Sequence, residues 1–231
     1  MGTDQAIDSR VFVIVRAYNE AAVIRDVVRQ LCERFDRIVV VDDGSTDSTA
    51  ACLNGLKVIL LRHCVNLGPG AALQTGMTYA VAHGADWVLT FDADGQHRVE
   101  DALAIVELLQ SGNCDVVFGS RFLGTTINIP RTRKLLLLAV RWFSNLMSDT
   151  RLTDAHNGLR GFSRKAAALL DITQNGMAYA SEMLRQLREG NMAIREIPVT
   201  IEYTDYSRRK GQSSLNAVNI LIDLIVGRLM R

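Results

Sequence analysis

Asp92 and Asp94 close a short apolar run in the stretch TFDADGQH (90–97). Residues two apart on extended backbone point the same way, so the two carboxylates meet at one point if the chain stays extended past Phe91. Like charges so placed cost free energy unless a cation lies between them. A hard divalent ion, Mg2+ or Mn2+, suits such oxygen ligands and keeps positions open for substrate phosphates. Gln96 or His97 is placed to add a ligand. A calcium-binding EF-hand loop does not fit, because the twelfth residue counted from Asp92 is Leu103, where that loop needs a bidentate glutamate. Aspartates two apart are common on solvated turns; a strand end opposite a second acidic cluster is a less ordinary place for them.

That second cluster is VDDGSTDST (41–49). Ser45, Thr46 and Asp47 account for themselves equally well as caps of a following helix, but a cap does not explain Asp42 beside Asp43. The elements that must carry both clusters are legible as β-branched apolar runs: VFVIV (11–15), RIVVV (37–41), KVILL (57–61), DWVLTF (86–91) and DVVFG (115–119). Longer segments with helical spacing lie between them, such as Ala21, Ile24, Val27, Val28 and Leu31. Strands alternating with helices predict an α/β fold with a mostly parallel sheet covered on both faces. Ligands of such sheets bind beyond the carboxyl ends of the strands, and the two clusters end the second and fourth strands, so they share one rim. The first strand is followed by RAYNE, which has neither a dinucleotide-binding GxGxxG nor a P-loop. The glycine-rich NLGPGAALQTG (66–76) follows the third strand and serves either close passage of backbone past a ligand or a turn. From about residue 120 the rhythm changes: helical patterns cover 131–147, 178–190 and 215–231, and 193–203 reads as a strand.

The chain has 231 residues, 48% of them hydrophobic, and a net charge of +1, enough for one sizeable core and no reason to expect nucleic acid. The distribution says more than the total. Between Asp115 and Asp149 there is no acidic residue, while Arg121, Arg131, Arg133, Lys134 and Arg141 fall there; after Asp205 the only acid is Asp223. The four cysteines show no CxxC spacing and read as small core residues of a reducing compartment. No secretory signal pattern opens the chain, and the uncharged, largely apolar run Gly211 to Ile222 is too short to span a bilayer. A cytoplasmic location is the expectation.

Five of these stretches, RAYNEAAVI, VVVDDGSTDST, NLGPGAALQTG, TFDADGQH and GSRF, stand in the order found in family-2 glycosyltransferases of the GT-A fold. Within that family the chain most resembles the dolichyl- or polyprenyl-phosphate sugar synthases, over roughly residues 10–215. The resemblance implies an α/β GT-A fold, a Rossmann-like, mostly parallel sheet flanked by helices with a C-terminal acceptor-side extension. It implies a nucleotide-sugar donor, a GDP- or UDP-sugar, with Mg2+ or Mn2+ on its diphosphate and inversion at the anomeric carbon. Tyr18, Glu20, Asp42 and Asp43 then fall at the nucleoside, and Asn66 and Gln74 line the donor site. Asp92, Ala93 and Asp94 also face the donor, with Asp92, Asp94 and Gln96 as the metal group. Two positions depart from the family: Arg16 replaces the usual proline before A-Y-N-E, and Pro69 replaces a residue that is often polar or basic.

The same resemblance divides the chain into a transferase domain, 1–214, and a C-terminal amphipathic helix, 215–231. Residues 10–120 form the nucleotide-sugar and metal half and 121–214 the acceptor half. A phosphate acceptor is already anionic and needs alignment and charge pairing rather than a strong base. Arg121, Arg131 and Arg133 match positions that hold the acceptor phosphate, and Arg209 or Lys210, in SRRKGQSS (207–214), would neutralise the leaving diphosphate. A hydroxyl acceptor would instead need a carboxylate base, with Asp154 the best candidate and Glu182 the next; His156 and Asn157 shape the same pocket. The basic start and apolar body of 131–147, and the last helix, suit a membrane surface, core packing or a membrane partner subunit alike. A lipid acceptor therefore implies peripheral binding at the cytoplasmic face. Two alternatives stay open, a transferase to a glycan or other hydroxyl acceptor and a non-catalytic nucleotide-sugar-binding subunit; a nucleotidyltransferase is the weakest reading.

Overall fold

A computed structural model of the chain describes residues 10–127, 152–204 and 206. Seven strands form one sheet in the order β3-β2-β1-β4-β6-β5-β7. They are β1 (Val11–Ala17), β2 (Arg37–Asp42), β3 (Ile59–Arg62), β4 (Trp87–Asp92), β5 (Val116–Ile127), β6 (Arg160–Ser163) and β7 (Ile194–Glu202). The helices are α1 (Ile24–Cys32), α2 (Pro69–Ala82), α3 (Val99–Gln110), α4 (Arg164–Leu169) and α5 (Tyr179–Glu189). β1 pairs in parallel with β2 and β4, β2 with β3, and β5 with β7, whereas the short β6 runs antiparallel to both β4 and β5. The expectation of a mostly parallel sheet holds, with β6 as its one reversed member among the described residues.

The alternation of side chains along each strand builds two cores. Val11, Val13 and Val15 of β1 and Ile38 and Val40 of β2 face one layer, with Ile24, Val28 and Leu31 of α1 and Ile105, Val106 and Leu109 of α3. Phe12 and Ile14, with Val39 and Val41, face the other, against Leu73 and Met77 of α2 and Met183, Leu184 and Leu187 of α5. The helix expected between β2 and β3 is reduced to one short turn, Ala51–Leu53. The glycine-rich stretch is not a turn: Pro69 opens α2, its missing N–H cost-free at a first helical position, and Gly76 lies where a Cβ would strike the Ile14 side chain. The glycine therefore lets α2 sit close against β1.

Among the described residues no helix is long and apolar enough to cross a membrane. The expected helices at 131–147 and 215–231, the basic loop 207–214, and Arg131, Arg133, Arg209 and Lys210 lie outside the described residues.

Candidate active site

The rim follows directly from strand register. β1 pairs with β2 on one side and with β4 on the other, so Ala17 stands level with Asp42 and Arg16 level with Asp92. The chain turns from one side of β1 to the other between these strands, which is where open parallel sheets leave a crevice. Both acidic clusters reach it.

Asp42 and Asp43 are buried, and their oxygens are used internally. Asp42 accepts from the Ser45 N–H at 3.0 Å and faces Arg62 Nε at 3.1 Å. Asp43 accepts from Leu67 and Gly68 N–H at 2.9 and 2.8 Å, and its Oδ1 lies 2.7 Å from His63 Nδ1. The pair that capping could not explain thus fastens the 62–68 loop to the end of β2. Gly44 has φ of +68° and packs so tightly on the Val65 backbone that a Cβ would overlap it. Asp47 caps no helix; it accepts from Thr49 N–H at 2.9 Å and from Ala21 N–H at 3.2 Å. Ser45 Oγ accepts from Asn19 N–H at 2.9 Å, so the β1 and β2 loops are stitched together. Beyond them opens a depression of about 400 Å3 lined by Gly44, Ser45, Arg62, His63 and Cys64.

Tyr18 is 41% exposed on this rim and Asn66 is exposed beside it. Glu20 is buried and accepts from the Tyr206 hydroxyl at 2.8 Å. Gln74 does not reach this group. Its amide accepts from Ile172 N–H at 2.8 Å and donates to Leu170 O at 3.2 Å, tying α2 to the segment after α4.

Asp92 and Asp94 do not behave as equals. Asp92 continues the alternation of β4 toward the α5 side, where its Oδ1 accepts from Arg16 Nη2 and its Oδ2 lies 3.4 Å from His97 Nε2. Gly158 backs it so closely that a Cβ there would overlap the carboxylate. Burial pushes the Asp92 carboxyl up, but Arg16 and His97 outweigh it and hold the group well below the usual carboxylate range. β4 ends at Asp92, and Asp94 sits in the turn beyond it, accepting from Gln96 N–H at 3.1 Å. Burial and then the Asp92 charge push the Asp94 carboxyl up to about 6, with Glu20 adding to the rise. Among the described residues no three His, Cys, Asp or Glu side chains gather as a metal cage. A site for Mg2+ needs none, since this ion is usually held by one or two carboxylates plus substrate phosphates. The crowded negative charge at Asp94 fits such a cation.

Arg121 is paired. Its Nε donates to Asp154 Oδ2 at 2.6 Å and its backbone N–H to the same oxygen at 3.0 Å, while Nη1 lies 3.4 Å from the Tyr203 hydroxyl. Asn157 is fully buried and donates to Asp154 at 3.4 Å. Asp154 is thus a buried anchor rather than a free base, and Glu182 accepts from Thr173 and Gln174 N–H at 3.0 and 2.8 Å. Sequence reasoning noted Arg16 as a departure without giving it a role, and it passed over Tyr179 and Gly158. The available signal was the lone charge of Arg16 closing the apolar run VFVIV.

The comparisons agree with this architecture. Residues 12–170 match the model of glycosyl transferase family 2. The chain belongs to glycosyl transferase family 2. A UDP-N-acetylglucosamine–dolichyl-phosphate N-acetylglucosaminyltransferase of Methanococcus voltae is 32% identical, over 95% of this chain and 96% of that protein. A polyprenol monophosphomannose synthase of Mycolicibacterium smegmatis is 27% identical, over 91% of this chain and 83% of that protein. Glucosyl-3-phosphoglycerate synthase of Mycobacterium tuberculosis, solved with Mn2+, UDP and glucosyl-3-phosphoglycerate, superposes with a TM-score of 0.68. It is 18% identical and matches 94% of this chain and 80% of its own, which establishes a shared GT-A fold. This family-2 glycosyltransferase carries its rim of acids at the crevice where β1 meets β2 on one side and β4 on the other.

Proposed function

We propose that the chain transfers a sugar from a nucleoside-diphosphate sugar to a polyprenyl phosphate, with inversion. An oxygen of the acceptor phosphate attacks the anomeric carbon, the bond to the diphosphate breaks, and the nucleoside diphosphate departs with that electron pair. Full-length similarity to transferases named for lipid-phosphate acceptors supports the acceptor class. The observation that carries the donor half is the placing of two carboxylates at the end of β4, Asp92 as its last residue and Asp94 in the turn beyond, on the same rim as the end of β2. Burial and the charge of Asp92 beside it also push the Asp94 carboxyl up, a crowding that a divalent cation relieves.

Asp94, with Gln96, would hold Mg2+ or Mn2+. When bound, that ion draws charge from the leaving diphosphate. Tyr18, Glu20, Ala93 and Asn66 would meet the donor, and the depression beside His63 and Arg62 would take its nucleoside. Asp42, Asp43 and Gln74 act one step back, by fixing the loops that form the donor wall. On the acceptor side Arg121, oriented by Asp154 and Asn157, would present its planar donors to the lipid phosphate; Arg131, Arg133, Arg209 and Lys210 extend this role. With Asp154 bound to Arg121, a phosphate acceptor, which needs no base, is favoured over a hydroxyl one. Attachment would be peripheral, at the cytoplasmic face of a membrane or on a membrane subunit.

The test is transfer of label from a panel of GDP- and UDP-sugars to a short polyprenyl phosphate. Labelled lipid that disappears with EDTA and in Asp94→Ala is the expected result. Donor hydrolysis without lipid product would shift the acceptor to hydroxyls, and full turnover by Asp94→Ala would remove the metal assignment.

A further inference from the structure

Arg16 is the only charge in β1, and the alternation that points Phe12 and Ile14 toward α5 points Arg16 there too. Its side chain is 11% exposed. Nη2 donates to Asp92, the residue level with it on β4, and Nη1 donates to the Tyr179 hydroxyl on α5 at 2.8 Å. Arg160 Nη1 lies 3.4 Å from the same hydroxyl. Two guanidinium groups therefore share one phenol, and one of them ends on the first aspartate of DAD. With His97 on the other oxygen and Gly158 pressed against the carboxylate, both oxygens of Asp92 have partners inside the protein. Among the described residues, the Gln96 N–H alone donates to Asp94.

We propose that Arg16 is a positioning residue: it supplies Asp92 with an internal cation, withdraws that carboxylate from the metal's ligands, and leaves a divalent ion to rest on Asp94. Since one carboxylate holds Mg2+ or Mn2+ weakly, the ion binds well only when a nucleoside diphosphate brings the remaining oxygens. This inference rests on Asp94 as a metal ligand, the reading proposed above.

Mn2+ binding to the whole chain, read by loss of the free-ion paramagnetic resonance signal, tests it without turnover. The wild type binds Mn2+ weakly alone and far more tightly with UDP or GDP. Arg16→Met leaves Asp92 without its cation, so Mn2+ alone binds about tenfold more tightly, the scale of one unit charge acting on a divalent ion a few ångströms away in water, while sugar transfer falls. A structural role alone would weaken both. Arg16→Lys keeps the charge and keeps the weak binding of Mn2+ alone. Arg16→Met combined with Asp92→Asn is charge-neutral and free of the half-buried carboxylate left without its guanidinium that could destabilise the single variant; its affinity for Mn2+ alone returns to the wild-type value. Mn2+ affinity unchanged in Arg16→Met overturns the proposal. So does a double variant that binds Mn2+ much more weakly than wild type, because Asp92 would then be a ligand itself. If the wild type fails to bind Mn2+ even with both nucleotides, the metal reading of Asp94 fails and this inference falls with it.

Discussion

His156 sits beside Asp154 in DAHNGLRGFS with both ring nitrogens buried and, among the described residues, without hydrogen-bond partners. Burial, and then the nearby Arg160 charge, push its pKa from 6.5 down to about 4. The unfolded chain therefore takes up a proton below pH 6.5 that the folded chain refuses until about pH 4. The contribution of His156 to stability is complete above pH 6.5 and is lost as pH falls through that window, by up to about 3 kcal/mol. Urea unfolding at pH 7 and pH 4.5 should show this loss in the wild type and a much smaller one in His156→Phe. An unchanged difference between the two pH values would place the loss elsewhere. Single residues also mark the limit of sequence reading. Asp92 and Asp94 were legible as a pair from their spacing, but their inequality was not, because it depends on Arg16, which lies far away in the chain and reaches Asp92 only through the β1–β4 register. For Asp42 and Asp43 too, nothing local announced that Leu67, Gly68 and His63 would meet Asp43 or that Arg62 would face Asp42.

Elements with their own periodicity were legible and those defined by a neighbour were not. β1, β2, β4, β5 and β7 are long apolar or alternating runs, and α1 and α5 show a clear stripe. β6 is only RGFS, four residues, and it becomes a strand because the edges of β4 and β5 face it. α2 was hidden by its glycines, which suit close packing on β1 rather than a bend. β6 also delivers the loop that carries Gly158 to the rim. Gly158→Ala should force the Asp92 carboxylate or the loop aside, at about 1–3 kcal/mol for an overpacked site. On the proposed function, the loss of turnover should exceed any loss in nucleotide affinity, since Asp92 stands beside the proposed metal ligand Asp94 rather than in the depression proposed for the nucleoside. Equal losses in both would show that the loop serves folding alone.

For the molecule as a whole, the rim is already assembled: Asn19 joins Ser45, Ala21 joins Asp47, and Tyr206 joins Glu20. A ligand that binds this preformed state stabilises it by mass action. Mn2+ with the correct nucleoside diphosphate at a hundredfold its dissociation constant should add about 2.7 kcal/mol, a rise of roughly 5–10 °C in melting temperature for a domain of this size. The other nucleotide, or Mn2+ alone, should give much less, so a melting series distinguishes GDP from UDP before any sugar is chosen; equal shifts from both would mean the base is not read. The reversed β6 has a further consequence, for synthesis rather than catalysis. β4 ends at Asp92, but the strand that covers its open edge begins only at Arg160, and β5 waits equally for β7 at Ile194. At roughly 5–20 residues per second, the ribosome leaves the apolar edge of β4 unpaired for several seconds. Chains halted before Arg160 should be held by chaperones or precipitate, and the nascent protein should become protease-resistant only once β6 has emerged.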